Sequence, residues 1–492
     1  MFDILPFADW RPDLSAYKGK SSQLIQNVFP RADGYGPVAG VSQYSQALAG
    51  ACRGFFYVRN NDQSITVFAA TATRLYKLNN TNFTWTDVSK GGGSYTAVGN
   101  GEQWQFAQFN NFVIAVQINT VPQVFDLTSS SAFADLGGSP PQARYVAVVN
   151  RFVVLSGLGS STPYRIQWSG LNAVTTWTSG VNSSDFQDLP DGGIVRAVGG
   201  GETGLITQDS SLRRMIYAPG APYVFQIDRV AQDKGIFAPL SLVRAGDRLF
   251  FAGNDGFYMI LPGGYPTAIG KERFDRTFFA DVDTGQLQLI IGASDPRAPR
   301  VYWAYKSQSG AAGLFDKILC YDYVLERASL IVQSGEYLAT LARPGLTLEG
   351  LDSISGSIDA LTFSLDDVAT SALSQLSIFD SSHKLGFFGG PIAGGSNLEA
   401  TLDTAEQTLD RRMRIKGFRP ITDAATCYGS VGARENLQST VSYSTEQAVN
   451  GKGLCPANVS TRLARGRLRI PASTAWSFAG GVEPMVAQEG RR

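Results

Sequence analysis

The sequence predicts an all-β protein, a β-propeller of about six blades with an additional C-terminal β domain. Three observations predict it. Only 17% of the 492 residues are charged, whereas 53 are glycine and 29 phenylalanine, a balance that favours strands and turns over helices. A strand–turn–strand layout recurs along much of the chain. Apolar residues either alternate with polar ones at period two or form short unbroken runs such as VIAV and FVVLS, which suit strands packed on both faces.

Residues 1–52 read as an extended N-terminal segment, turn-rich through GYGPV, that packs on the outside of the body or on the C-terminal domain. Its opening, MFDILPFADWRPD, places Asp3 and Asp9 among apolar residues and matches no secretion signal. No window approaches the ~18 apolar residues of a membrane span, so a soluble chain made in a cytoplasm is expected, with no membrane insertion.

The repeats occupy residues 53–360. The first copy is ITVFAATATRLYKL with FTWTDVS. The second runs from Gln103 as QWQFAQFNNFVIAVQ with PQVFDL, and the third from Arg144 as RYVAVVNRFVVLSG with YRIQWSG. Later copies contain IVRAVGGGETGLITQ, LSLVRAGDRLFFAGNDGFYMI, and QLIIGASDPRAPRVYWAYK with KILCYDYV. Central turns are placed near Asn110, Asn150, Gly200, Asp247 and Asp295, at a spacing of about 40 to 50 residues, the period of a four-stranded blade. A weaker copy, YLATLARPGLTLEGLDSI, is expected to close the ring. From residue 361 to 492 the spacing is lost, and RRMRIKGFRPI, QSTVSYSTE and GRLRIPAS read as strands of a separate domain with long loops.

Residues that carry chemistry are few. Lys plus Arg equals Asp plus Glu at 42 each, so net charge offers no pull towards nucleic acid or an anionic membrane. Arg462, Arg465, Arg467, Arg469, Arg491 and Arg492 crowd the C-terminal stretch and read as a solvated face or a subunit contact, with nucleic-acid contact as the alternative. Cys52, Cys320, Cys427 and Cys455 form no CxxC pair and read as buried free thiols.

A single histidine, His383, excludes any multi-histidine metal site and reads as a surface-loop residue beside Asp380, Ser381 and Ser382. Gly199 to Gly204 spells GxGxxG, but LITQ follows where a dinucleotide fingerprint needs a helix, so a tight inter-strand turn is expected. Asp281, Asp283 and Gly285 start like a calcium loop and lack its later ligands. Ser15 and Lys18 match SxxK without partner motifs. Asp366 with Asp367, or Asp185 with Asp188, are the carboxylates a propeller glycosidase would have to use, and they read as turn residues. No catalytic, cofactor-binding or metal-binding residue is therefore assigned, no cofactor is expected, and the chain reads as a non-enzyme.

The order of several motifs resembles one family. WRPD, NVFPRADGYGPV from Asn27 to Val38, RGFFYV, LYKL and WTDVS look like the start of tail-nozzle (DNA-stabilisation, tail-hub) proteins of short-tailed bacteriophages. QWSGLN from Gln167 with Trp177, GGGETGLI, FQIDRV, GNDGFYMI, SDPRAPRVYWAYK and the C-terminal ARGRLRIPASTAWSFAGGVEP follow in the same order. The resemblance implies a virion structural protein, assembled in the host bacterial cytoplasm as a homohexameric ring below the portal and adaptor proteins. It implies a part that extends the DNA channel, helps retain packaged DNA, and docks tail fibres or spikes and a plug or needle. Duplex DNA would pass without sequence-specific binding, through a lumen expected to be neutral or acidic because each neutralised phosphate adds affinity. The alternatives are a monomeric carbohydrate- or protein-binding propeller and a propeller glycoside hydrolase.

Overall fold

The computed structural model describes residues 4–16, 21–60, 62, 64–261, 264–342, 357, 374–389 and 396–488. Among these the architecture is mostly β, with six separate four-stranded sheets arranged as propeller blades and one larger sheet built from other strands. Blade 1 comprises Gly54–Arg59, Ile65–Ala70, Leu75–Leu78 and Trp85–Asp87. Blade 2 spans Gln105–Phe109 to Ala134–Asp135, blade 3 Ala143–Val149 to Asp185–Asp188, blade 4 Val195–Gly199 to Phe225–Ala231, and blade 5 Val243–Ala245 to Thr267–Ala268.

Each blade is an antiparallel meander, and the first hairpin turn of each repeat falls where the sequence places it. Asn110 and Asn150 sit between paired strands with φ of 53°. Asparagine tolerates that left-handed conformation because its short amide bonds locally, and it supplies the twist a tight hairpin needs. The second strand of a blade is the most apolar because it is covered on both sides: Phe152–Leu158 is buried along its whole length.

The ring closes through a strand that the sequence reading left outside it. Val41–Ala47 pairs antiparallel with Lys384–Phe388, completing a closing blade with Tyr337–Ala342 and Ser374–Phe379. Two expected boundaries are thereby corrected. Residues 1–52 contain a blade strand, and the propeller does not end at residue 360. The strand alternates weakly and its partner is remote, so neither local pattern nor repeat spacing marks it. Tyr44 anchors it, with ring contacts to Phe83 of the blade 1 connection at 4.8 Å and Phe387 at 5.2 Å. The expected closing copy begins with Tyr337–Ala342; its remainder, through residue 354, lies outside the described residues.

Between blade 5 and the closing blade, the meander Ile291–Asp295, Arg300–Tyr305, Phe315–Asp322 and Arg327–Gly335 takes a place in the same ring. Gly292 lies against its neighbour so closely that a Cβ there would stand 2.1 Å from Val243 Cγ2 of the blade 5 inner strand. This meander also forms one end of the 15-stranded sheet. Leu330 pairs with Gln26 in parallel, Gln26 pairs with Thr401, and the sheet continues through Cys455–Ile470, Gln407–Thr422 and Ala479–Gln488 to Gly34–Pro37 and Val28–Arg31. Propeller and C-terminal platform are therefore welded by continuous backbone hydrogen bonding. One hydrophobic core runs across the weld, from Phe257 and Trp303 through Ile25 to Leu402, Phe418 and Leu468.

The helix Asp275–Asp281 is inserted before the bridging meander. Its first residue, Asp275, is 8% exposed and accepts a hydrogen bond from the Phe257 N–H at 3.1 Å. Burial, with smaller contributions from the nearby Asp13 and Asp255 charges, pushes its carboxyl up to about 7. The unfolded chain ionises Asp275 near pH 4 while the folded chain keeps the proton, so this group costs stability progressively as pH rises from about 4 to 7 and by a constant amount above. The difference corresponds to a few kcal/mol at most, at about 1.4 kcal/mol per unit. Asp275→Asn retains the acceptor for Phe257 without the charge. It is expected to unfold at higher denaturant than the parent at pH 8 and to lose that advantage towards pH 4. An advantage independent of pH would contradict the assignment.

Candidate functional site

Two surfaces stand out, the axial cavity of the propeller and the strand-lined platform. Inner strands from every blade converge on the axis around a cavity of 320 Å³ lined by Phe55, Gln105, Tyr145, Val198, Arg244, Ser294, Tyr337 and Thr340, among others. Among the described residues, none that line it is an aspartate or glutamate. Among the described residues Arg244 is the one cation in its lining, and the guanidinium donates to Gly200 O at 2.6 Å. Pro239, Leu240, Leu287 and Gln288 enclose a smaller space of 40 Å³ where the inner strands begin. The same rim carries interlocked polar groups: Arg144 pairs with Glu102 at 2.6 Å, and Arg53 donates to Gln103 at 3.1 Å and to Glu102 O at 2.5 Å. A cavity of this lining can hold polar groups, but its described residues present no carboxylate pair around its space.

His383 is more than a surface-loop residue. Its Nδ1 lies 2.5 Å from Glu336 Oε1, and Glu336 is 4% exposed and takes the Cys52 N–H on Oε2 at 2.8 Å. One carboxylate thus ties the closing blade to the start of blade 1. Burial raises the Glu336 pKa, opposed by the hydrogen bond from Cys52 and by His383.

The other sequence candidates do not converge. Gly199 to Gly204 forms the turn between Val195–Gly199 and Thr203–Gln208, the inter-strand turn expected. Asp281 accepts from Lys317 at 2.7 Å and Tyr305 at 3.0 Å, while Asp283 accepts from Lys306 at 2.9 Å and from the Gly285 N–H at 2.9 Å. These acids are engaged by different partners. Asp188 receives both arms of Arg165, at 2.6 and 2.9 Å, and Asp185 takes the Ser179 hydroxyl at 2.6 Å; both lie on the last strand of blade 3, away from the axial lining. Lys18, Asp366, Asp367, Arg491 and Arg492 lie outside the described residues, so the Ser15–Lys18 and Asp366–Asp367 readings do too.

The arginine row of the platform is largely neutralised from within. Arg467 forms two bonds to Asp403, at 2.7 and 2.9 Å, and its guanidinium lies 3.7 Å from the centre of the Tyr443 ring. Arg465 stands 3.9 Å from the same carboxylate. Arg469 reaches Glu399 at 3.0 Å and Glu446 at 2.8 Å, over the ring of Tyr428. Arg462, by contrast, is exposed. This geometry matches an intramolecular ion-pair ladder on a half-covered face, one in which direct pairing satisfies most of the charge.

A second basic row was missed at the level of sequence. Arg412, Arg414 and Lys416 alternate along Gln407–Thr422 and are exposed, as are Arg411 and Arg419. Among the described residues their acidic neighbours are few: Arg412 approaches Glu435 at 3.4 Å and Arg419 approaches Glu483 at 3.5 Å, whereas Arg414 bonds the neutral Asn458. The alternation in RRMRIK was the available signal, since residues two apart on a strand share a face.

No protein-family model matches the chain, and no curated protein matches it in sequence. Among solved structures it is similar to the computationally designed Ika8 protein, with 10% identity over 70% of this chain and all of that one, at a TM-score of 0.36. It is similar to the extracellular domain of the putative hybrid two-component system BT4673 from B. thetaiotaomicron, with 9% identity, 78% of this chain and a TM-score of 0.41; the match spans 44% of that chain. It is also similar to the dihydro-heme d1 dehydrogenase NirN in complex with DHE, with 13% identity, 74% of this chain, 70% of that chain and a TM-score of 0.36. At these identities and scores the likenesses assign no function.

Proposed function

We propose that this chain is a structural component of a short-tailed phage tail, forming a ring below the portal and adaptor that extends the DNA channel and docks fibres, spikes or a plug. The observation that carries the reading is where the family-like NVFPRADGYGPV motif sits. Asn27 receives backbone bonding from both units: its N–H donates to Leu330 O at 2.8 Å, its Oδ1 accepts from the Val332 N–H at 2.8 Å, and its amide donates to Glu399 O at 2.8 Å. Gly34 and Tyr35 in the same motif join the platform edge, where a Cβ on Gly34 would stand 2.3 Å from Ala479 O. The motif thus serves to fuse propeller and platform into one stiff body, which suits a load-bearing ring subunit.

In this reading the work is mechanical rather than catalytic. The 320 Å³ axial cavity is far too small for a duplex, so the channel runs between copies and the blades lie away from the ring axis. Subunits of a closed cyclic ring meet through unlike surfaces, leaving the blade loops for other tail parts. The exposed Arg412–Arg414–Lys416 row faces a neighbouring subunit or adaptor rather than the lumen, since a cationic lumen would retard a sliding polyanion.

The test is the mass of native assemblies by light scattering and negative-stain imaging, alone and mixed with the cognate portal and adaptor. A ring of about six copies, formed alone or on the adaptor, is expected. A strictly monomeric protein with affinity for neither would overturn the reading in favour of a binding or hydrolytic propeller.

A further inference from the structure

Two of the four cysteines, distant in strand register, meet inside the platform. Cys427 directly precedes the strand Tyr428–Arg434, and Cys455 opens the strand Cys455–Ile470. Tyr428 pairs with Arg469, near the far end of that long strand, whereas Cys455 pairs with Phe418. The sheet folds back over its own interior, and the two ends come together across it. A Cβ placed on Gly429 would lie 2.6 Å from Cys455 Cβ and 3.0 Å from its Sγ. Cys427 and Gly429 are two residues apart on extended chain, with Cys427 O accepting the Val449 N–H at 3.1 Å, so they share the face that abuts Cys455. Both cysteines belong to the same buried core, their side chains interact, and each residue is 1% exposed.

We infer that Cys427 and Cys455 are a redox site, a thiol pair that closes to an intramolecular disulfide and staples the approach to Tyr428–Arg434 to the start of Cys455–Ile470. The oxidant is a low-molecular-weight disulfide. Cys427 attacks first as the thiolate and Cys455 resolves, and the exchange balances equally with the two roles reversed. The Cys427 sulfur forms a bond to one sulfur of the oxidant, whose S–S bond breaks and releases one thiolate. Cys455 then gives up its proton and attacks the Cys427 sulfur, expelling the second thiolate. Two protein thiols are oxidised and one small disulfide is reduced to two thiols.

Burial makes the closure slow, because the oxidant reaches the pair only when the platform opens locally. Cys52 and Cys320 serve as internal controls. Both are fully buried; the Cys52 thiol bonds to Gly54 O at 3.3 Å, and burial pushes the Cys320 thiol up to about 12. The inference is independent of the ring reading, since it concerns a contact within one chain.

The experiment incubates the full chain, first reduced, with oxidised glutathione, then alkylates free thiols and maps peptides without reduction. The expected product is a linked Cys427–Cys455 peptide lighter by two hydrogens, with Cys52 and Cys320 alkylated. The Tm is expected to rise by about 3 °C or more on oxidation, because the cross-link restricts the unfolded chain. The Cys52→Ser/Cys320→Ser variant retains that rise. Cys455→Ser loses it, read as the oxidised-minus-reduced difference within the variant so that its own stability does not enter. Four alkylated thiols after treatment that oxidises a dithiol peptide, a glutathione adduct without a cross-link, or a cross-linked protein with unchanged or lower Tm would each overturn it.

Discussion

A chain that begins at residue 48 is expected to lose cooperative folding. The truncation removes Val41–Ala47, the fourth strand of the closing blade, and with it the Ile25–Gln26 strand that joins propeller to platform. It uncovers Phe387 and the edge of Lys384–Phe388, and it leaves the ring open between its last and first blades. Typical domains are stable by only about 5–15 kcal/mol, so losing a strand and its core is enough to unfold the body. The point variant Tyr44→Ala isolates the closure: loss of its packing against Phe83 and Phe387 should cost about 3–5 kcal/mol, by analogy with buried aromatic truncations. Limited proteolysis and thermal unfolding check both. A truncated chain as resistant as the parent would show that the ring does not close through this strand.

The second large effect is expected from Asp403→Ala. Asp403 is 1% exposed and holds Arg467 through two bonds, Arg465 at 3.9 Å, and the Tyr443 hydroxyl at 2.6 Å. Removing one partner from a buried ionic network is worse than never having built it, because the remaining charges have lost water without compensation. The expected cost is about 3–5 kcal/mol. Part of this is relieved where Arg467 can turn towards solvent, so denaturant titration should place the variant at the lower end of that range. Asp403→Asn, which keeps shape and one acceptor, should lose less. Equal midpoints for parent and alanine variant would mean that the ladder is ornamental to stability.

The platform charges also show how a sequence misleads. GRLRI alternates as a strand with one polar face, and that much is true of it: Leu468 and Ile470 are buried, and Arg467 and Arg469 half-covered. Whether such arginines are free to meet a polyanion depends on Asp403, Glu399 and Glu446, which come from a neighbouring strand and from connections remote in the chain. The RRMRIK row has the same pattern and the opposite outcome, with few acidic neighbours among the described residues. Local sequence reports which face a charge is on; only the fold reports what stands opposite.

The sequence by itself determined the elements whose cause is local. Asn110 and Asn150 marked hairpins because their backbone must turn left-handed, the runs VIAV and FVVLS marked strands covered on both faces, and the repeat of such units at a fixed spacing implied a propeller. Tertiary structure alone decided three things. It recruited Val41–Ala47 to a blade 337 residues away, as in the Gln43–Asp380 contact; it placed His383 on the buried Glu336; and it folded the platform so that Cys455 lies against Gly429, two residues from Cys427. In each case the partners are joined by the path of the chain through space. Period and composition describe which face of a strand is buried, but the identity of what buries it is set by ring closure and by the bending of one long sheet.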